Sequence, residues 1–275
     1  MGSGSSTAPH LTRRSSPCQP ATPSPTSVVS TTSVGTVQII LIPGFWLDGS
    51  SWDQIVPVLQ QAGHRPLPLT LPGMESREAD RSGISLRDHV DAVVEIIDSV
   101  HPVADEVVLV GHSGGGAIAH AAVDARSDRV ARVVHVDTWP VGDGDVINDR
   151  LPAENGGIPL PDWSDFEKED LVDLTDELRA AFRARAIPTP ARVARDSQQL
   201  FDERRYGVPV TVIACAFPSA QLREWMAQGE DALQELAKVR TVDYIDLPTG
   251  HWPQFTRPVQ LGRAILTALN GPFEY

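Results

Sequence analysis

Short β-branched runs alternate along the chain with longer stretches whose apolar positions recur at helical spacing. Val37–Ile42 is an apolar run ended by Pro43-Gly44, which predicts a buried strand and a turn. Residues 50–61 carry Trp52, Ile55, Val56 and Leu59 at helical spacing, with Ser50 or Ser51 as N-cap and Gly63 as stop. Residues 65–71 read as an extended segment interrupted by proline, and 85–100 as an amphipathic helix with Leu86, Val90, Val93, Ile97 and Val100 on one side. Strands follow at 106–110, Val130–Val136, 208–216 and 239–247. Helices follow at Gly114–Ala125, 218–238 and Pro258–Leu269. This order predicts the α/β class, a mostly parallel sheet with helices on both faces. Residues 141–206 break the rhythm with loops rich in Gly, Pro and Asp and charged helical stretches such as 167–186. Lying between two core strands, they read as an inserted cap, and no internal repeat is visible.

Composition separates a tail from a domain. Residues 1–33 are rich in Ser, Thr and Pro, with Arg13 and Arg14 as their only charges, and are expected to be disordered. Residues 34–275 are expected to form one domain containing the cap. Apolar residues make up 41% of the chain, enough for a sizeable core, and no apolar run reaches the roughly 18 residues of a membrane span. A net charge of −13 argues against nucleic acid and anionic membrane as partners. The tail lacks the apolar stretch of a secretory signal, so a cytoplasmic location is expected. Cys18 and Cys215 are too few for a disulfide framework or a cysteine-rich zinc site. With no metal-ligand cluster and no nucleotide fingerprint, no cofactor is implied.

The most informative stretch is 107–116, Val-Val-Leu-Val-Gly-His-Ser-Gly-Gly-Gly. Gly111-x-Ser113-x-Gly115 follows a predicted strand and opens a small-residue helix, the setting in which a serine on a tight turn projects as a nucleophile. The glycines leave room for that turn, and the helix start offers free N–H groups to a developing negative charge. A phosphate-binding turn is the competing reading. The acidic balance and the absence of a Walker lysine speak against it.

With the Pro43-Gly44-Phe45-Trp46 turn, the Leu71-Pro72-Gly73 turn and a late Gly250-His251, the chain resembles the α/β-hydrolase fold superfamily over nearly all of residues 36–270. It is most similar to the small, cofactor-free esterase and hydroxynitrile-lyase-like branch. The resemblance implies an eight-stranded sheet, a cap after the sixth strand and a Ser–acid–His triad in chain order. Ser113 is then the nucleophile. His251, on the loop after the last strand, is the base; the other seven histidines lie in the tail, in turns, inside elements or beside Ser113. The oxyanion hole needs two N–H donors, which the resemblance places at Phe45 and Gly114. Pro43 stands where the family usually has His. The acid is less direct. The usual position after the seventh strand, 213–220, has no carboxylate. Asp137 ends the strand Val130–Val136, and some family members place the acid there. Asp137 is therefore the expected acid, with Glu224 and Asp246 as the alternatives.

Trp46, Trp139 and Trp252 flank the expected catalytic loops, and Trp163 and Phe166 lie in the expected cap, so all five are candidates for an aromatic substrate pocket. The function expected is a serine hydrolase cleaving a carboxylic ester or lactone with an apolar or aromatic part. The alternatives are a cofactor-independent lyase of the hydroxynitrile-lyase type and a slow-turnover ligand-binding homologue. Oligomeric state is left open.

Overall fold

Alternate residues of the central strands face opposite sides, and this sets the layers. In the computed structural model, Ile40 and Ile42 of β1 (Val37–Ile42) join one apolar cluster, while Ile39 and Leu41 join the other. The structure describes residues 1–2, 36–101 and 106–270. The chain divides into two units, Met1–Ser33 and Val34–Tyr275. The expectations for the tail and for Cys18 fall on residues outside the described ones.

The remaining strands are β2 (Arg65–Pro68), β3 (Glu106–His112), β4 (Val130–Val136), β5 (Gly157–Ile158), β6 (Thr189–Pro190), β7 (Val210–Ala214) and β8 (Val242–Asp246). The helices are α1 (Val56–Gln61), α2 (Leu86–Ser99), α3 (Gly114–Ala125), α4 (Asp176–Arg185), α5 (Ala191–Arg195), α6 (Ser219–Gln228), α7 (Gln234–Ala237), α8 (Pro253–Thr256) and α9 (Pro258–Leu269). Six strands form one parallel sheet in the order β2-β1-β3-β4-β7-β8. Residues of α2 and α3 pack on one face; Leu59 of α1 and Leu261 and Ile265 of α9 pack on the other. No helix among the described residues is long and apolar enough to cross a membrane.

The expected eight-stranded sheet is corrected to six strands among the described residues. β5 and β6 instead pair antiparallel with each other inside 141–206, away from the main sheet. Several helices are shorter than their periodicity suggests, each for a local reason. Asp48 caps a 3-10 turn, Gly49–Trp52, before α1 starts. Thr175 caps α4 by accepting from the Leu178 N–H, so 167–175 stays outside the helix. Gly229, at φ 81°, ends α6 and splits the 218–238 stretch.

Strand register carries the chemistry to one edge. Ile42 lies opposite Gly111, His112 opposite Val136, and Val136 opposite Ile213. The residues just beyond these pairs emerge side by side at the carboxyl ends of the strands, where ligands of open α/β sheets bind.

Candidate active site

Ser113 joins β3 to α3 with φ 51° and ψ −125°, a conformation that costs a non-glycine residue about 1–3 kcal/mol. The glycines two positions either side permit it by close approach. A Cβ on Gly111 would lie 2.5 Å from the Gly115 carbonyl oxygen, and one on Gly115 would lie 2.5 Å from the Pro43 carbonyl oxygen. The elbow is thereby pressed against the turn that follows β1.

Three residues from three separate segments meet at this edge. The Ser113 hydroxyl donates to His251 Nε2 at 2.8 Å, and His251 Nδ1 donates to Asp137 Oδ2 at 2.7 Å. Asp137, at φ 50°, also accepts through Oδ1 from the N–H groups of Cys215 and Ala216, both at 2.9 Å. The stretch that lacks a carboxylate therefore contributes amides that hold one. Burial opposes the Asp137 charge, but the His251 bond and charge, with these two amides, outweigh it and lower its pKa. Asp137 is then an acceptor only, which puts the proton of the neutral His251 ring on Nδ1 and leaves Nε2 to receive one. Burial also opposes a charged His251, yet the Asp137 bond and charge prevail and raise its pKa. The ring of His112 lies 5.0 Å from that of His251, but burial pushes it the other way, to about 3, and its Nε2 donates to the His251 carbonyl at 2.7 Å.

The alternative acids are engaged elsewhere. Asp246 accepts from the Ser219 N–H and hydroxyl at the start of α6, and Glu224 sits on α6 bonded to Gln221 and Gln228.

Ser113, Gly114, Phe45 and His251 line a cavity of about 630 Å³. Gly114 opens α3, where N–H groups lack an intrahelical acceptor. The next amide along the β1 turn, that of Trp46, is taken by Thr189 Oγ1 at 2.9 Å. Trp46, Trp139 and Phe166 also line the cavity. Trp252 and Trp163 do not, which corrects the expectation for both. Trp252 is 1% exposed, with its ring edge-on to those of His251, Phe166 and Phe182. Neighbouring side chains diverge, so the turn that aims His251 at the cavity sends Trp252 into the core. Trp163 stands behind Phe166, against Phe182 and Trp252, with the Arg183 guanidinium over its ring.

Sequence reasoning missed Thr138, Ile147, Asn148, Arg150, Leu151 and Asp170 as lining residues. All but Thr138 come from 141–206, where no spacing marks them. Asp170 is half-buried beside His251, and burial raises its pKa while the His251 charge tempers the rise. Among the described residues no three His, Cys, Asp or Glu side chains come together as a metal site.

The sheet order, the elbow and the late histidine all agree with one family. Its model, described as the alpha/beta hydrolase family, matches residues 39–264. The chain belongs to the alpha/beta hydrolase family. It is similar to the pyrethroid hydrolase of Sphingobium wenxiniae, 25% identical over 260 residues, which cover 86% of this chain and 89% of that protein. It is 31% identical over 115 residues to the carbendazim hydrolyzing esterase of a Nocardioides species, a match covering 41% of this chain. The chain spans 46% of that relative's length, and 34% of another, putative methylesterase 12 of Arabidopsis thaliana. Among solved structures, an extracellular alpha/beta-hydrolase from a Paenibacillus species superposes with a TM-score of 0.66 at 21% identity, covering 84% of this chain and 98% of the other. At that identity the likeness speaks for the fold.

Proposed function

We propose that this alpha/beta hydrolase is a serine esterase acting on a neutral carboxylic ester or lactone with an apolar or aromatic part. The observation that carries the reading is the unbroken Ser113–His251–Asp137 hydrogen-bond chain opening onto the 630 Å³ cavity. Strained nucleophile, base and orienting carboxylate are the three parts acyl transfer needs. The esterase and hydrolase names of the relatives support the same class.

In this reading His251 Nε2 takes the Ser113 proton as Oγ attacks the ester carbonyl. The Phe45 and Gly114 N–H groups receive the oxyanion. The tetrahedral intermediate collapses, and the His251 proton leaves with the alcohol. Water, deprotonated in turn by His251, attacks the acyl-serine and releases the acid, returning the proton to Ser113. Asp137 stays ionised and stabilises the imidazolium at each step. Residues 141–206 act as the cap: Ile147, Leu151, Pro159 and Phe166 bring its apolar surface to the cavity.

The test is a panel of aliphatic and aromatic neutral esters, lactones and a cyanohydrin, with acid quench and mass analysis. Ester turnover with an acyl mass on Ser113 is the expected result. Cyanohydrin cleavage without any acyl adduct would replace this reading with the lyase.

A further inference from the structure

Four polar groups of His251 are held from four parts of the chain. Its ring meets Asp137 and Ser113, its carbonyl accepts from His112, and its N–H donates to the Asp170 carbonyl at 2.8 Å. The first three partners sit at the sheet edge. The fourth belongs to the 141–206 insertion, which also accepts the Gly250 N–H at the Val172 carbonyl, at 3.0 Å. A Cβ on Gly250 would collide with the Asp170 and Val172 carbonyl oxygens, so this close approach explains the glycine before the histidine.

A side chain fastens the contact. Asp173 Oδ2 accepts from the Thr249 hydroxyl at 3.1 Å and from Arg257 Nη2 and Nε at 2.8 and 3.1 Å. Thr249 is buried and also meets the Thr256 hydroxyl at 2.8 Å. One carboxylate thus grips the segment on both sides of His251. Asp173 is held at φ 62°. Among the described residues the other non-glycine positions with positive φ are Trp46, Ser113 and Asp137 at the site and Asn155, which precedes Gly156 (φ 78°) in a turn. An unusual backbone kept in place by surrounding contacts is a pointer to function.

We infer that Asp173 is a positioning residue: by holding Thr249 and Arg257 it docks residues 249–257 on the insertion and keeps His251 within reach of Ser113 and Asp137. This rests on the triad reading proposed above. Cap and base then share one anchor, so a change in the insertion is felt at the base as well as in the cavity wall.

The experiment uses the full chain and a small acetate ester. Asp173→Gly removes the carboxylate while tolerating the positive φ. It is expected to lower kcat on the order of 10²-fold, the scale for a displaced catalytic group, with KM unchanged. The charged and titratable groups facing the His251 ring are Asp137, Asp170 and His112. A base less firmly held by Asp137 loses proton affinity, so the acid limb of the kcat profile moves to lower pH. Asp173→Asn keeps an acceptor and tolerates the same φ, and is expected to restore most of kcat and the original limb. Thr249→Val, nearly isosteric but without the hydroxyl, shifts both readouts in the same direction and stands in if Asp173→Gly does not fold. Wild-type kcat and an unmoved acid limb in Asp173→Gly or Thr249→Val would overturn the inference. So would a lower rate with an unmoved limb, which is the mark of lost folded enzyme. Ser113→Ala is run beside them. If it stays active, the triad reading itself fails; if it is inactive while the other variants match wild type, only the role of Asp173 fails.

Discussion

Among the described residues, two histidine–carboxylate pairs differ in what lies beyond them, and one of the two has the makings of a catalyst. His251 and Asp137 meet at 2.7 Å; His120 and Glu235 meet at 2.9 Å, with both side chains almost fully buried. Glu235 is crowded with donors: besides His120 it accepts from Arg205 Nε at 2.8 Å, the Tyr206 hydroxyl at 3.1 Å and Lys238 Nζ at 3.2 Å. Burial opposes its charge, but the bonds from His120 and Arg205 prevail and hold its pKa at about 2. Arg205 bridges on to Asp124, which accepts the Phe201 and Asp202 N–H groups. That cluster is saturated and staples residues 201–206 to α3 and α7. The His251 pair instead ends on a serine held in strained backbone and facing a cavity. A histidine beside a carboxylate is therefore not a site by itself. An open end aimed at a cavity, on strained backbone, is what separates the two.

The comparison is sharpest where one pair is broken and the other left alone. Ser113→Ala is expected to lower kcat roughly 10⁶-fold with the thermal midpoint unchanged, the scale for losing a serine nucleophile. Asp137→Asn comes next, on the order of 10⁴ in kcat, because the amide favours the wrong His251 tautomer. Its Oδ1 can still accept from Cys215 and Ala216, so the fold should hold. Glu224→Gln, measured beside it, should change little; the opposite ranking would reassign the acid. Glu235→Gln should do the reverse of Asp137→Asn. It disrupts a buried charge network at a cost of about 3–5 kcal/mol, read as a lower denaturation midpoint, with kcat/KM of the remaining folded enzyme unchanged. Equal kinetic damage from both would put the two pairs on the same footing.

The smallest expected effect is in pH dependence, and its sign separates catalyst from core. In the proposed mechanism His251 must be neutral to accept the serine proton, and its pKa is raised, so activity is expected to fall as pH drops through a value above 6.5. Burial depresses His89 to about 4 and His112 and His135 to about 3. The unfolded chain takes up these protons below about 6.5, while the folded chain does not until pH 3–4. Unfolding therefore binds protons in that window, and stability is lost as pH falls below 6.5. Rate and midpoint measured against pH should show activity failing first and the fold afterwards.

Much of this was legible in the residues. β1, β4, α3 and α9 coincide with their periodicity to the residue, because each is a run whose own chemistry decides its state. Ser113 was marked by its glycine-flanked motif, and Asp137 and His251 by the family resemblance together with their places at or after a strand end; the structure brings the three together because parallel register turns strand ends into neighbours. Local pattern failed where distant contacts decide. Nothing within 141–206 announces that Asp170 and Val172 accept from the loop of residues 250–251, nor that Asp173 meets Arg257. Adjacency to His251 made Trp252 look like a pocket wall, although only packing against Phe166 and Phe182 decides which way its ring turns.

The central claim is that Ser113 is an activated nucleophile, and a fluorophosphonate followed by intact mass and peptide mapping addresses it most directly. The account predicts one adduct, on Ser113, formed rapidly in wild type, far more slowly in Asp137→Asn, at the wild-type rate in Glu235→Gln, and absent in Ser113→Ala. An unlabelled wild-type enzyme that still hydrolyses esters, or an adduct that persists in Ser113→Ala, would contradict it.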